Sequence, residues 1–207
     1  MVTSNKDLMT RAREALSGRW GLAVGTFFVY MLIIAVFSGT WSRTYGLYTV
    51  QISSNLILLL VGGAFALGIA NFSLAIARKE EAKFEMLFSG FKYYGKTLGL
   101  YLLMVLFVFL WMLLLIIPGI IAAISYSMAF FIMSDDPNIK AMDAINKSKK
   151  MMYGYKWKYF CLVLRFIGWI LLGILSLGIG FLWIVPYIEI SSAKFYEDVK
   201  ANYVEIQ

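Results

Sequence analysis

Apolar residues in this chain gather in long stretches, separated by shorter segments in which a glycine, basic residues and aromatic residues come together. The stretches cover residues 20–37, 56–77, 98–133 and 159 to about 193. Runs of about 20 apolar residues predict helices that cross a membrane rather than helices of a soluble core. The last two are too long for one crossing. As one straight helix, 98–133 would be about 54 Å long, against a hydrocarbon core of roughly 30 Å. Ile117-Pro118-Gly119 sits where a turn is wanted and divides it into 98–117 and 120–133. Leu177-Gly178-Ile179-Gly180 divides the final stretch into 159–176 and 181–193.

The expected fold is therefore all-α: a polytopic membrane protein with six transmembrane helices arranged as three helical hairpins in one integral membrane domain. The hairpin units fall at about 6–77, 80–133 and 138–196, followed by a tail at 197–207. Pro118, Gly119, Gly178 and Gly180 are the expected turn residues. The weakest crossing is 120–133, which reaches only about 21 Å as a helix, so it either tilts into a thinned site or re-enters.

Similar segments precede each hairpin: Leu16-Ser17-Gly18-Arg19-Trp20, Phe88-Ser89-Gly90-Phe91-Lys92-Tyr93 and Met152-Tyr153-Gly154-Tyr155-Lys156-Trp157. Upstream of each lies a stretch with one greasy helical face: Leu8, Met9, Ala12, Ala15 and Leu16; then Phe84, Leu87 and Phe88; then Met142, Ile145, Met151 and Met152. These predict short interfacial amphipathic helices. The glycine would let the chain turn into the bilayer, while the aromatic residue holds the headgroup level. Shared anchoring chemistry without an ancestral repeat would give the same pattern.

Composition agrees with this class: 61% of residues are hydrophobic and only 15% charged, against about 25% charged in soluble domains. With no histidine and one cysteine, Cys161, a disulfide within the chain is excluded, and metal sites built on His or Cys are not expected. The first apolar run follows Lys6, Arg11, Arg13 and Arg19 without a small-residue cleavage site, which predicts a retained span. Among the 19 Lys and Arg, only Arg43 and Arg165 fall outside four segments: the N-terminus, 78–97, 134–158 and the C-terminal end. Six crossings put those four on one side, and basic loops favour the cytoplasm. Both termini are thus expected inside. The net charge of +7 reflects this topology and does not argue for nucleic acid.

Polar groups within the spans are the first candidates for function because they are costly in lipid. Arg165 and Glu189 lie at similar depth on either side of the Gly178 turn. They can form an ion pair that fastens the last hairpin or makes a substrate or proton site; alternatively, Arg165 snorkels to the cytoplasmic face. Asn71 is interhelical glue or a ligand group. Asp135-Asp136-Pro137 reads as turn chemistry, with Asp136 available to cap the next helix. Lys147, Lys149, Lys150, Lys156 and Lys158, interleaved with aromatic and methionine residues including Trp157, suit anionic lipid headgroups, or serve topology alone. Small residues four apart, such as Ala64 and Gly68, allow close helix approach.

Residues 88–196 resemble a bacterial integral-membrane family of uncharacterised function, domain-of-unknown-function family 975, through Phe88-Ser89-Gly90-Phe91, Ile117-Pro118-Gly119-Ile120, Ser125-Tyr126-Ser127-Met128-Ala129 and 148–157, completed by Pro186-Tyr187 and Phe195-Tyr196. Leu16-Ser17-Gly18-Arg19-Trp20-Gly21 fits the same family. The resemblance implies a bacterial cell membrane and transfers no catalytic residue. The expected function is non-enzymatic binding of membrane lipid, anionic lipid included, or of a protein partner or second copy, at a basic cytoplasmic face, without a cofactor. The rival is a small transporter or channel with Arg165, Glu189 and Asn71 lining an intramembrane site. A lipid-modifying enzyme ranks last for want of a nucleophile with its base.

Overall fold

The computed structural model describes residues 3–37, 40–45, 48–53 and 55–203, with side chains in 3–37 and 58–203. Ten α-helices occur among these residues. α1 (Asn5–Leu16) opens on Ser4, whose hydroxyl accepts from the Asp7 N–H at 3.2 Å, satisfying one of the free donors of the first turn. α2 (Trp20–Phe37) is apolar all round. Strands β1 (Thr40–Tyr45) and β2 (Tyr48–Ser53) form an antiparallel ribbon with Tyr45 opposite Tyr48, so the otherwise helical fold contains a β element that was not expected. α3 (Asn55–Ala77) leads to a 3-10 helix (Phe84–Tyr93), followed by α4 (Tyr94–Leu114), α5 (Ile116–Tyr126) and α6 (Ala129–Asp135). α7 (Ala141–Met151), α8 (Lys156–Leu164), α9 (Ile167–Leu175) and α10 (Phe181–Asn202) complete the chain.

Five helical segments are long and apolar enough to cross a membrane: Trp20–Phe37, Leu58–Ala77, Phe84–Leu114, Ile116–Asp135 and Lys156–Leu175. α10 has the length but carries Glu189, Lys194, Glu197, Asp198 and Lys200, and it is not among the five.

The turn between α4 and α5 falls at Leu115, extended at φ −163° and ψ 146°, rather than at Pro118-Gly119. Pro118 sits in the first turn of α5, where its missing N–H has no helical partner to lose. Gly119 serves packing: a Cβ there would lie 2.3 Å from Met112 Cγ and 3.0 Å from Met112 Cα. The return leg is therefore 20 residues, Ile116–Asp135, or about 30 Å of helix, which removes the shortfall expected for 120–133. It breaks at Ser127 and Met128. There Ser148 of α7 donates to the Ser125 carbonyl at 2.8 Å and accepts from the Met128 N–H at 3.2 Å, supplying bonds the broken helix lacks.

The three glycine segments resolve into two uses. Gly18 and Gly154 adopt φ +76° and +82°, the left-handed region that glycine enters freely. Gly90 instead packs so tightly that a Cβ would stand 2.0 Å from the Ala64 carbonyl oxygen, and Gly68 approaches the Leu87 carbonyl equally closely. The greasy faces upstream are largely turned onto the chain's own core: Leu8, Ala12, Ala15 and Leu16 of α1, Leu87 of the 3-10 helix, and Ala144, Ile145 and Met151 of α7 are buried.

Burial is uneven along the helices. Near-complete burial of Leu8, Phe27, Phe72, Leu87, Leu100, Met128 and Phe195 marks one well-packed end. Residues 113–117 and most of 171–179 lie exposed at the hairpin tips, with Leu113 at 75% and Leu177 at 94%.

Candidate functional site

The packed end is knitted by charges from segments distant in sequence. At the end of α3, Arg78 reaches Asp135 of α6 and Glu197 of α10, both at 2.7 Å. Tyr196 donates to the other Asp135 oxygen at 2.7 Å, and Lys200 pairs with that same oxygen. Burial would lower the Arg78 guanidinium, but its hydrogen bonds to Glu197 and Asp135 outweigh this and raise it above its ordinary value. Asp135 is thus the hub of a three-helix ion network and not a turn residue. Asp136 accepts from the Asn138 N–H at 3.0 Å, while α7 begins only at Ala141 with Lys140 in the capping position. The expected cap at Asp136 is therefore an Asx turn.

A second cluster ties the two chain ends together. Thr3 donates its N–H at 3.2 Å, and its hydroxyl, to Asp198. Lys158 pairs with Asp198 at 2.8 Å, and Asn5 donates to the Lys158 carbonyl at 2.9 Å. Burial alone would raise the Asp198 carboxyl, but the bonds from Lys158 and Thr3 hold it below its ordinary value. Lys96 meanwhile donates to the Pro137 carbonyl at 2.9 Å. The N-terminus, 78–97, 134–158 and the end of α10 accordingly meet at one end of the bundle.

Asn71 joins two elements: it donates to Ser89 at 2.6 Å and accepts from Ser134, and Ser89 in turn donates to the Met86 carbonyl at 2.6 Å. Arg165 and Glu189 do not pair. Arg165 ends α8 at the kink before α9 and is exposed. Glu189 keeps some open surface, yet its carboxylate lies deep in the bundle near the hydroxyls of Tyr30 and Tyr159. Tyr159 also lies 3.4 Å from Ser192 Oγ and stands near Ser127 at the break between α5 and α6. Equal depth did not bring the two charges together because depth ignores direction around the helix, and the kink turns Arg165 outward.

Of the lysine cluster, Lys158 points inward onto Asp198, whereas Lys149 and Lys150 are exposed and Lys156 half-buried. Trp157 is 73% exposed beside Tyr153 at 83%, with the Trp157 ring 5.4 Å from Phe160. Lys147 lies between two adjoining grooves of about 340 and 320 Å³. One reaches Asp135, Tyr196 and Lys200, the other Asp143, Asn146 and Lys150, and Tyr203 borders both. Lys200 and Tyr203 belong to this face, but the basic pattern at 147–158 did not include them. Their spacing from α7 in sequence hides them. Among the described residues no three His, Cys, Asp or Glu side chains gather to hold a metal ion.

These features define a helical protein whose long apolar helices are compatible with a membrane location and whose polar chemistry is concentrated at one end. The chain belongs to the family described as Protein of unknown function (DUF975), whose model matches residues 1–124 and 112–203. Neither a curated protein nor a solved structure matches it.

Proposed function

We propose that this is a multi-pass, non-enzymatic protein of the bacterial cell membrane, with both termini in the cytoplasm and with anionic lipid headgroups bound at its basic end. The observation that carries this reading is the base of the third hairpin, where exposed Tyr153 and Trp157 stand between Lys149, Lys150 and Lys156. Aromatic residues favour the headgroup level, and each lysine near an anionic surface contributes about 1 kcal/mol of attraction. Six crossings are supported by the meeting of four basic segments at one end, with α10 as the sixth leg.

The lipid test is the association preference of spin-labelled phosphatidylglycerol over phosphatidylcholine around the reconstituted protein. A Lys149→Gln, Lys150→Gln, Lys156→Gln variant is expected to lose at least half of the preference; an unchanged preference rejects the lysine face. For topology, single cysteines at Leu115, Asp136 and Leu177 in a Cys161→Ser background meet an impermeant thiol reagent on intact cells. Labelling is expected at 115 and 177 only, and labelling at 136 rejects the arrangement.

A second reading, transport, is favoured by one observation: the Glu189 carboxylate lies inside the bundle with no ion pair among the described residues. Ser127 at the helix break and Tyr159 stand beside it, the kind of setting in which transporters bind ions. Cation or proton flux in proteoliposomes that disappears with Glu189→Gln supports it, and the absence of flux in the unaltered protein removes it.

A further inference from the structure

A groove of about 410 Å³ runs along α9 and α10, from Ser176 and Gly180 near the hairpin turn to Tyr187, Trp20 and Arg13 at the packed end. Its walls are indoles and aliphatic side chains, chiefly Trp169, Leu172 and Trp183. Gly173 keeps the two helices close: a Cβ there would meet Ile184 Cδ1 at 3.0 Å and the Phe181 ring at 3.2 Å. Tyr187 donates to the Met9 carbonyl at 3.2 Å, fixing α1 so that Arg13 stands over the mouth. Among the described residues Arg13 makes no ion pair; its electrostatic neighbour there is the Tyr187 hydroxyl.

We infer that this groove holds one acyl chain of an anionic phospholipid whose headgroup rests on Arg13. The lining offers almost nothing to a polar solute, which excludes sugars, nucleotides and free ions. Gly180 and Tyr187 are separated by about 10 Å along the helix axis, and their side chains extend the groove towards the roughly 15 Å of one leaflet's hydrocarbon. Spreading 410 Å³ over about 10–15 Å leaves a cross-section of roughly 27–41 Å², too narrow for a helix about 10–12 Å across but suited to an alkyl chain. Arg13 supplies the one formal charge in the lining, so an occupant with an anionic head is favoured over a neutral one. Trp20 stands beside it, as expected of an indole at the headgroup level. The proposal rests on the membrane reading above but is independent of the lysine face between α7 and α8.

The test is native mass spectrometry of the full chain released from detergent, titrated with phosphatidylglycerol and phosphatidylcholine of equal chain length. The unaltered protein is expected to retain one phosphatidylglycerol per chain, with about fivefold preference over phosphatidylcholine, the factor that one such charge contributes. Arg13→Gln is expected to bring that preference close to one, and Leu172→Trp, which fills the groove, to lower retention of both lipids. The Lys149→Gln, Lys150→Gln, Lys156→Gln variant should retain its lipid like the unaltered chain; if it alone loses the lipid, the headgroup sits on the lysine face and this proposal fails. Equal retention by Arg13→Gln and Leu172→Trp overturns it, as does a second polypeptide in place of a lipid mass. A second readout needs no variant to fold: brominated phosphatidylglycerol should quench tryptophan fluorescence more than brominated phosphatidylcholine, and equal quenching also overturns it.

Discussion

At the packed end, helices distant in sequence interlock through glycine contacts, buried aromatic rings and carboxylates shared by several cations. Around the α4–α5 and α9–α10 turns the two legs pack mainly on each other, with leucine and isoleucine exposed on their outer sides. The difference follows from the solvent each end meets on the membrane reading. Lipid tails are as apolar as leucine, so the helix legs that run through hydrocarbon to the tips gain little from packing, and hydropathy is the main constraint on their outward faces. The packed end meets water and headgroups, so apolar side chains gain there by burying themselves, the polar groups buried with them need partners, and shape there must be specified residue by residue.

Substitutions at the two ends should therefore differ in magnitude. The largest effect is expected from Arg78→Ala, which leaves Glu197 without its ion pair and Asp135 with Tyr196 and Lys200 alone; breaking a buried network costs about 3–5 kcal/mol, visible as a lowered melting temperature of the detergent-solubilised protein. Leu87→Ala, at a fully buried position, should cost about 2–5 kcal/mol in the same assay. Gly68→Ala would force a Cβ against the Leu87 carbonyl and should cost about 1–3 kcal/mol through overpacking.

A pH dependence comes next. The Asp198 carboxyl is held below its ordinary value, so its folded pKa lies below its unfolded one, about 3.9. Its stabilisation is present above that unfolded value and is lost as pH falls through the folded one. Hydrogen exchange of α1 should accelerate there, and Asp198→Asn should abolish that pH-dependent step. The smallest effect is expected at a tip: Leu114→Ala should shift stability by less than about 0.5 kcal/mol. A tip loss equal to that of Leu87→Ala would remove the distinction between the two ends.

The two ends also differ in how readable they were. Hydropathy alone outlined the long helices, because a 20-residue apolar run needs no partner to identify it. The turn at Leu115 was hidden: nothing polar marks it, and the nearby Pro118-Gly119 drew attention to a dipeptide used for helix start and packing. The strands at Thr40–Tyr45 and Tyr48–Ser53 do carry a signal, with Thr, Tyr, Trp, Val and Ile gathered on either side of a glycine, but hydropathy does not single them out. Gly18 and Gly154 were legible as turning points. Gly90 has the same neighbours in sequence, and only its approach to Ala64 separates it from them. The Asp135 network joins residues 57 and 61 positions apart, and pattern within a single segment does not reach that far.

The contact between Thr3 and Asp198 has a consequence for biosynthesis. The two residues are 195 positions apart, and a ribosome adding about 5–20 residues per second needs about 10–40 s to bridge them. For most of that interval α1 has left the ribosome while α10, against which it docks, is unmade, so Leu8, Ala12 and Leu16 lack that surface to cover them. On the membrane reading, the amphipathic character that is internal packing in the finished molecule lets the nascent α1 wait at the bilayer surface until α10 arrives.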